Sequence, residues 1–166
     1  LMSKDVNAWL AGNWFPEIRN GQVWRLLTPI FIHYGLLHIA FNMLWLKALG
    51  TEVEREDGTL SFAAQVLIMG IVPNFGQYAV SGPLFGGMSG VVYGLFGYVW
   101  IRSKYDPNAR FSIDRTATVM LIAWFMLGVL GVIPHIANMA HGLGLAIGII
   151  WAGVRVRRIP FTGITW

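Results

Sequence analysis

The chain has 166 residues, enough for one domain, of which 55% are apolar and only 12% charged, with a mean hydropathy of +0.57. Ordinary soluble domains carry roughly 25% charged residues, so the composition excludes a typical water-soluble globule and points to a bilayer as solvent. The absence of cysteine excludes disulfides, thiolate catalysis and cysteine-bound metal, while the net charge of +4 raises nucleic acid as a partner until the placement of the charges is considered.

Residues 1–27 are too polar to span a membrane. They open "LMSKDVNAWLAGNWF", which lacks the basic start and apolar core of a signal peptide. Trp9, Trp14, Phe15 and Trp24 predict a loop lying in the outer interface, where aromatic side chains anchor well. Five apolar segments follow, at 28–49, 60–80, 86–102, 115–134 and 136–154. Each is read as a helix crossing a core of about 30 Å, because an open strand in lipid would leave backbone groups unpaired. The third is short, and its "GGMSG" start is compatible with a re-entrant or sunken helix. The fold class expected is an all-α polytopic membrane bundle in one domain, with an outer loop at 1–27, spans within 28–154 and a tail at 155–166. Twenty glycines suit close helix packing in lipid.

The links alternate in character. "KALGTEVEREDG" (47–58), "RSKYDPNARFSIDR" (102–115) and "RVRR" (155–158) are charged, whereas "VSGPLF" (80–85) and "GVIPHI" (131–136) are not. Lys47, Arg55, Arg102, Lys104, Arg110, Arg115, Arg155, Arg157 and Arg158 therefore share one side, and Lys4, Arg19 and Arg25 the other. The positive-inside rule makes the first side cytoplasmic, with the N-terminus outside and the C-terminus inside. The basic charge is thus a topology signal, and no nucleic acid is expected as a partner. An odd number of spans after an abrupt "LM" start predicts that an earlier span is missing.

Polar residues at membrane depth are costly and often functional. Ser89 opens the third span, where Gly86, Gly90 and Gly94 offer small-residue packing. It is either a packing residue or a nucleophile. In the second case the free N–H groups and positive dipole end of a helix start would favour a developing anion, and Gly87 would let a substrate backbone approach. His141, in "NMAHGLGLAIG", is either a neutral histidine bonded to a carbonyl or the base for that serine. Gly144 and Gly148 share its face and would admit a partner helix. His38 and Asn42, in "HIAFN", point the same way at four-residue spacing. They serve either interhelical hydrogen bonding or an oxyanion hole. Tyr93 shares the face of Ser89, and packs as an ordinary aromatic or stacks on the histidine ring. Asp5, Glu17, Glu52, Glu54, Glu56, Asp57, Asp106 and Asp114 all fall in links or at span ends, so a hydrolase here would use a Ser–His dyad. His33 and His135 are placed near the outer surface in a solvated role; no HExxH motif occurs and no metal or other cofactor is expected.

Together these segments resemble the rhomboid intramembrane serine proteases of the bacterial type, over nearly the whole chain. "GGMSGVVYG" resembles the family's GxSG nucleophile segment, "NMAHGLGLAIG" its last-helix histidine and spaced glycines, and "HYGLLHIAFN" its second-helix motif. "VWRLLTPIF" carries the Trp24–Arg25 pair of its first loop, and "GTEVERE" resembles the turn after its second helix. The resemblance implies Ser89 as nucleophile, His141 as general base and acid, and an oxyanion hole from His38, Asn42 and the Ser89 N–H. It implies substrate contacts at Gly87, Met88 and Tyr93, a lateral gate at Phe41 and Trp124, and a lid at 131–136. Substrates would be transmembrane proteins in the bilayer, cut in or near their spans. The location implied is the inner, or plasma, membrane, with the site opening to the outer side. The family core has six spans and five are visible here. A catalytically inactive relative that binds transmembrane helices is the alternative, although such relatives typically lack the serine or the histidine. A transporter or channel would show intramembrane charges or paired broken helices, and the chain shows neither.

Overall fold

Backbone in hydrocarbon has no water to bond, so long apolar segments close their hydrogen bonds locally. In the computed structural model, which describes residues 6–13, 15–134 and 136–157, the described residues contain helices and no strand. Lys4, Asp5, Trp14, His135, Arg158 and the Arg157 side chain, all invoked above, lie outside the described residues. Two short helices, α1 (Val6–Leu10) and α2 (Pro16–Arg19), and two 3-10 turns (Val23–Leu26 and Thr28–Phe31) lead into α3 (Leu36–Asp57). Then come α4 (Thr59–Ser81), α5 (Ser89–Tyr105), α6 (Arg115–Val129) and α7 (Asn138–Arg157).

The first long helix begins at Leu36, not at residue 28, and absorbs the charged stretch expected to be a link. Pro29 sits in the second 3-10 turn, and Gly35 ends the irregular approach to α3. The last turns of α3 keep helical form because their carboxylates find cations. Arg102 of α5 is buried, and its guanidinium meets Glu56 at 2.9 Å, Asp57 at 2.8 Å and Asp106 at 2.7 Å. Arg155 of α7 adds a 3.0 Å contact to Asp57. This ionic cluster ties the C-terminal ends of α3, α5 and α7 together, at the end of the bundle away from Ser89. Helix α7 likewise continues past residue 154 to Arg157, and α6 stops at Val129, short of residue 134.

By length and hydropathy, α4 and the Asn138–Val156 stretch of α7 can cross a bilayer, and α6 is apolar but shorter at 15 residues. Helix α5 spans 17 residues and has every residue from Gly90 to Val99 buried, so its environment is protein and not lipid.

Glycines set how α5 meets α7. A Cβ on Gly144 would overlap the Gly90 carbonyl oxygen, and one on Gly148 the Gly94 carbonyl oxygen. A Cβ on Gly97 would lie 2.7 Å from the Leu145 oxygen. The two backbones therefore touch along a stripe that no side chain could enter. On the other flank, Met69 of α4 packs against Gly94, and the ring of Pro73 against Gly90.

The N-terminal segment is more than an interfacial anchor. Trp9 Nε1 donates to the Tyr78 carbonyl at 3.0 Å, and the Phe15 ring stacks on Tyr78 at 4.3 Å. Asn74 Nδ2 donates to the Leu26 carbonyl at 3.0 Å. Trp24 is exposed, as an interfacial residue would be.

Two substitutions check this packing by thermal unfolding in detergent. Gly148→Ala is expected to cost about 1–3 kcal/mol by overpacking. Arg102→Met, which leaves buried carboxylates unpaired, is expected to cost about 3–5 kcal/mol.

Candidate active site

Residues 83–88 cross the top of the bundle in irregular form before α5 starts at Ser89. They are held closely. Gly87 N donates to the Pro29 carbonyl at 3.0 Å, and a Cβ on Gly86 would lie 2.8 Å from the Ile32 Cβ. Gly87 itself has φ 129, a left-handed value that favours glycine. A Cβ there would lie 2.8 Å from His38 Nε2 and 3.7 Å from Ser89 Oγ. Only a bare Cα at Gly87 therefore lets the His38 ring lie this close beside the serine. Ser89 stands in the first turn of α5, where backbone N–H groups lack intrahelical acceptors.

Close contact of α5 and α7 brings the two ends of a long sequence separation together. Ser89 precedes Gly90, and His141 lies one turn before Gly144. The Ser89 hydroxyl and His141 Nε2 are 2.7 Å apart. His141 is buried, and among the described residues its Nδ1 has no hydrogen-bond partner. Packing orients the ring instead: Tyr93 lies 4.6 Å away, tilted by 34°. Tyr93 is fixed in turn by its hydroxyl, which donates to the Leu121 carbonyl of α6 at 3.0 Å.

His38 and Asn42 share a face of α3. The Tyr34 N–H donates to His38 Nδ1 at 3.3 Å, which makes Nδ1 the acceptor and leaves the proton on Nε2, facing Gly87. Asn42 is buried and donates one amide hydrogen to the His38 carbonyl at 2.9 Å, leaving a second to give. Met88 is buried at the N-cap of α5. Phe41 and Trp124 bridge α3 and α6 with ring centroids 6.4 Å apart, and both are about half exposed.

Two residues escaped the sequence reading. Gln77 Oε1 of α4 accepts the N–H of Ala140 at 3.0 Å, fixing the turn that carries His141. A glutamine inside an apolar span was the available signal. His33, read as solvated, packs edge-on to His38 with centroids 5.0 Å apart. Its Nδ1 donates to the Phe31 carbonyl at 3.3 Å, and its Nε2 is buried with no partner among the described residues. Spacing could not reveal this, because the turn at 32–35 decides it. Among the described residues, no group of three or more histidines or carboxylates is arranged to hold a metal ion.

Chemically, the site pairs a hydroxyl with an imidazole lone pair, at a helix start, beside N–H donors from α3. Comparison with known proteins points the same way. Residues 20–158 match the Rhomboid domain family. The chain is 38% identical over 155 residues to proteins named "Rhomboid protease GlpG" from two Klebsiella pneumoniae strains, MGH 78578 and 342. Those alignments cover 93% of this chain and 56% of each relative, so the chain spans little more than half of their length.

The Tyr93 contacts are separable by substitution. Tyr93→Phe keeps the ring over His141 but loses the Leu121 bond, with an expected cost of about 1 kcal/mol. Tyr93→Ala removes both and is expected to cost about 3–5 kcal/mol. Reversible denaturation in mixed micelles measures each.

Proposed function

The chain is an integral-membrane member of the rhomboid family, and from that premise we propose that it is a serine endopeptidase of transmembrane proteins. The observation that carries the proposal is the 2.7 Å contact of Ser89 Oγ with His141 Nε2, beside the close approach of the His38 ring to Gly87. In the reaction, Ser89 Oγ attacks the scissile carbonyl carbon while His141 Nε2 takes the hydroxyl proton. The resulting oxyanion accepts hydrogen bonds from the Ser89 N–H, His38 Nε2–H and the second Asn42 amide hydrogen. Collapse of the tetrahedral species breaks the C–N bond as His141 returns its proton to the leaving amine. Water then attacks the acyl ester, again losing a proton to His141, and regenerates Ser89.

Several contacts support roles around this core. The His141 ring is oriented by Tyr93, so the dyad works without a carboxylate to hold the base. Gly87 and Met88 border the space a substrate backbone would fill. Phe41 and Trp124 form a contact that must part for a helix to enter between α3 and α6, and the uncharged link at 131–136 would cover the site. The positive-inside pattern supports a cytoplasmic C-terminus and a site on the outer side of a bacterial plasma membrane.

A fluorophosphonate probe and a fluorogenic transmembrane substrate in liposomes test the proposal. Ser89→Ala and His141→Ala should lose both labelling and cleavage while remaining folded; cleavage by Ser89→Ala would refute the nucleophile. Asn42→Ala should lower kcat about 10²–10³-fold, the usual effect of deleting one oxyanion donor. Gly87→Ala should abolish cleavage by filling the oxyanion space.

A further inference from the structure

Away from Ser89, an open groove of about 450 Å³ lies between α2 and α4. That volume falls in the range of small-ligand sites, roughly 300–1,000 Å³. Ile18, Leu26, Ile71, Val72 and Phe75 line it almost wholly with hydrocarbon, and Arg19 completes the lining. Ile71, Val72 and Phe75, with Ile68 one turn further, share a face of α4 by three- and four-residue spacing. Ile68, Val72 and Phe75 are each between 42% and 51% exposed, on a helix able to cross a bilayer. Because α4 rises toward the Ser89 end, the strip from Phe75 to Ile68 runs about 10 Å toward the bundle middle.

The opposite wall is prebuilt under strain. Phe15 holds φ 59, a left-handed value disfavoured for a bulky residue. Its N–H donates to the Tyr78 hydroxyl at 3.2 Å, and its ring stacks on Phe75 at 5.0 Å. Arg19 is exposed and donates to Asn13 Oδ1 at 3.4 Å, a weak neutral contact. Among the described residues no carboxylate pairs with its charge.

A cation with no carboxylate partner among the described residues, beside a hydrocarbon groove that continues onto an exposed apolar helix face, fits one kind of amphiphile. We propose that this groove holds a membrane glycerophospholipid, with its phosphate on the Arg19 guanidinium and one acyl chain along Phe75, Val72 and Ile68. Guanidinium favours phosphate through paired, charge-assisted bonds. A free phosphate would leave the groove unfilled, and a chain without phosphate would leave Arg19 uncompensated. The site shares no residue with the Ser89–His141 pair.

Mass spectrometry of the intact full chain, released from detergent and titrated with phosphatidylglycerol, tests the proposal. One lipid should bind preferentially. Arg19→Gln should reduce its occupancy about fivefold, the weight of one cation at a lipid surface. Val72→Trp, which fills the groove, should reduce it at least as much. Arg19→Lys should retain most of it, and Ser89→Ala should change nothing, so the result stands apart from the protease reading. Diacylglycerol with the same chains and glycerol phosphate without chains should each bind more weakly. The proposal is overturned if Arg19→Gln, with an unchanged melting temperature, retains full occupancy. Equal binding of diacylglycerol or of glycerol phosphate would overturn it too.

Discussion

Bare backbone against bare backbone, where α5 meets α7, is the contact on which the rest depends. Association of helices in lipid draws little from the hydrophobic effect and relies on packing. A Cβ on Gly144 or Gly148 would overlap the carbonyl oxygen of Gly90 or Gly94, and one on Gly97 would lie 2.7 Å from the Leu145 oxygen. Ser89 and His141 sit at the top of this stripe. Their 2.7 Å separation follows from how deeply the two helices interlock, and not from any bond of their own. A hydrogen bond between neutral groups is worth about 0.5–1.5 kcal/mol net, too little to hold two helices in register. The order of cause therefore runs from glycine to helix contact to site.

The two ends of the bundle solve opposite problems. At the end away from Ser89, charge is satisfied: Arg102 gathers Glu56, Asp57 and Asp106, and fastens α3 and α5 where carboxylates at a helix C-terminus would otherwise be unfavourable. At the Ser89 end, polarity is left partly open. His38 Nε2 faces Gly87, and the buried Asn42 spends one amide hydrogen on the His38 carbonyl. One end secures the helices so that the other end can hold unfilled hydrogen-bonding groups in fixed positions.

Orientation of the His141 ring shows the same logic. In many serine hydrolases a carboxylate holds the imidazole by its second nitrogen. Among the described residues His141 Nδ1 has no such partner, and the Tyr93 ring, the Tyr93–Leu121 bond and the Gln77–Ala140 bond share the task. Burying a carboxylate in this setting would carry a heavy desolvation cost. Aromatic and amide contacts give rigidity without adding charge at membrane depth.

Much of this was legible in the chain itself. Hydropathy and glycine content give an all-helical membrane bundle, and "GGMSG", "NMAHGLG" and "HIAFN" mark the residues that gather at one end. These features are local, set by residue type and helical period, so a linear reading reaches them. The start of α3 at Leu36, the extension of that helix through its acidic turns, and the packing of Trp9 and Phe15 on Tyr78 were not legible. Each depends on a partner remote in the chain: Arg102 for the carboxylates, Tyr78 for the aromatics. His33 and Gln77 were missed for the same reason, since a polar side chain states its chemistry in the sequence but not its neighbour. By itself the sequence determined the kind of scaffold and singled out the polar groups that gather at one end of it. The tertiary structure alone decided that Ser89 and His141 meet, because helix approach distance is a property of two surfaces at once.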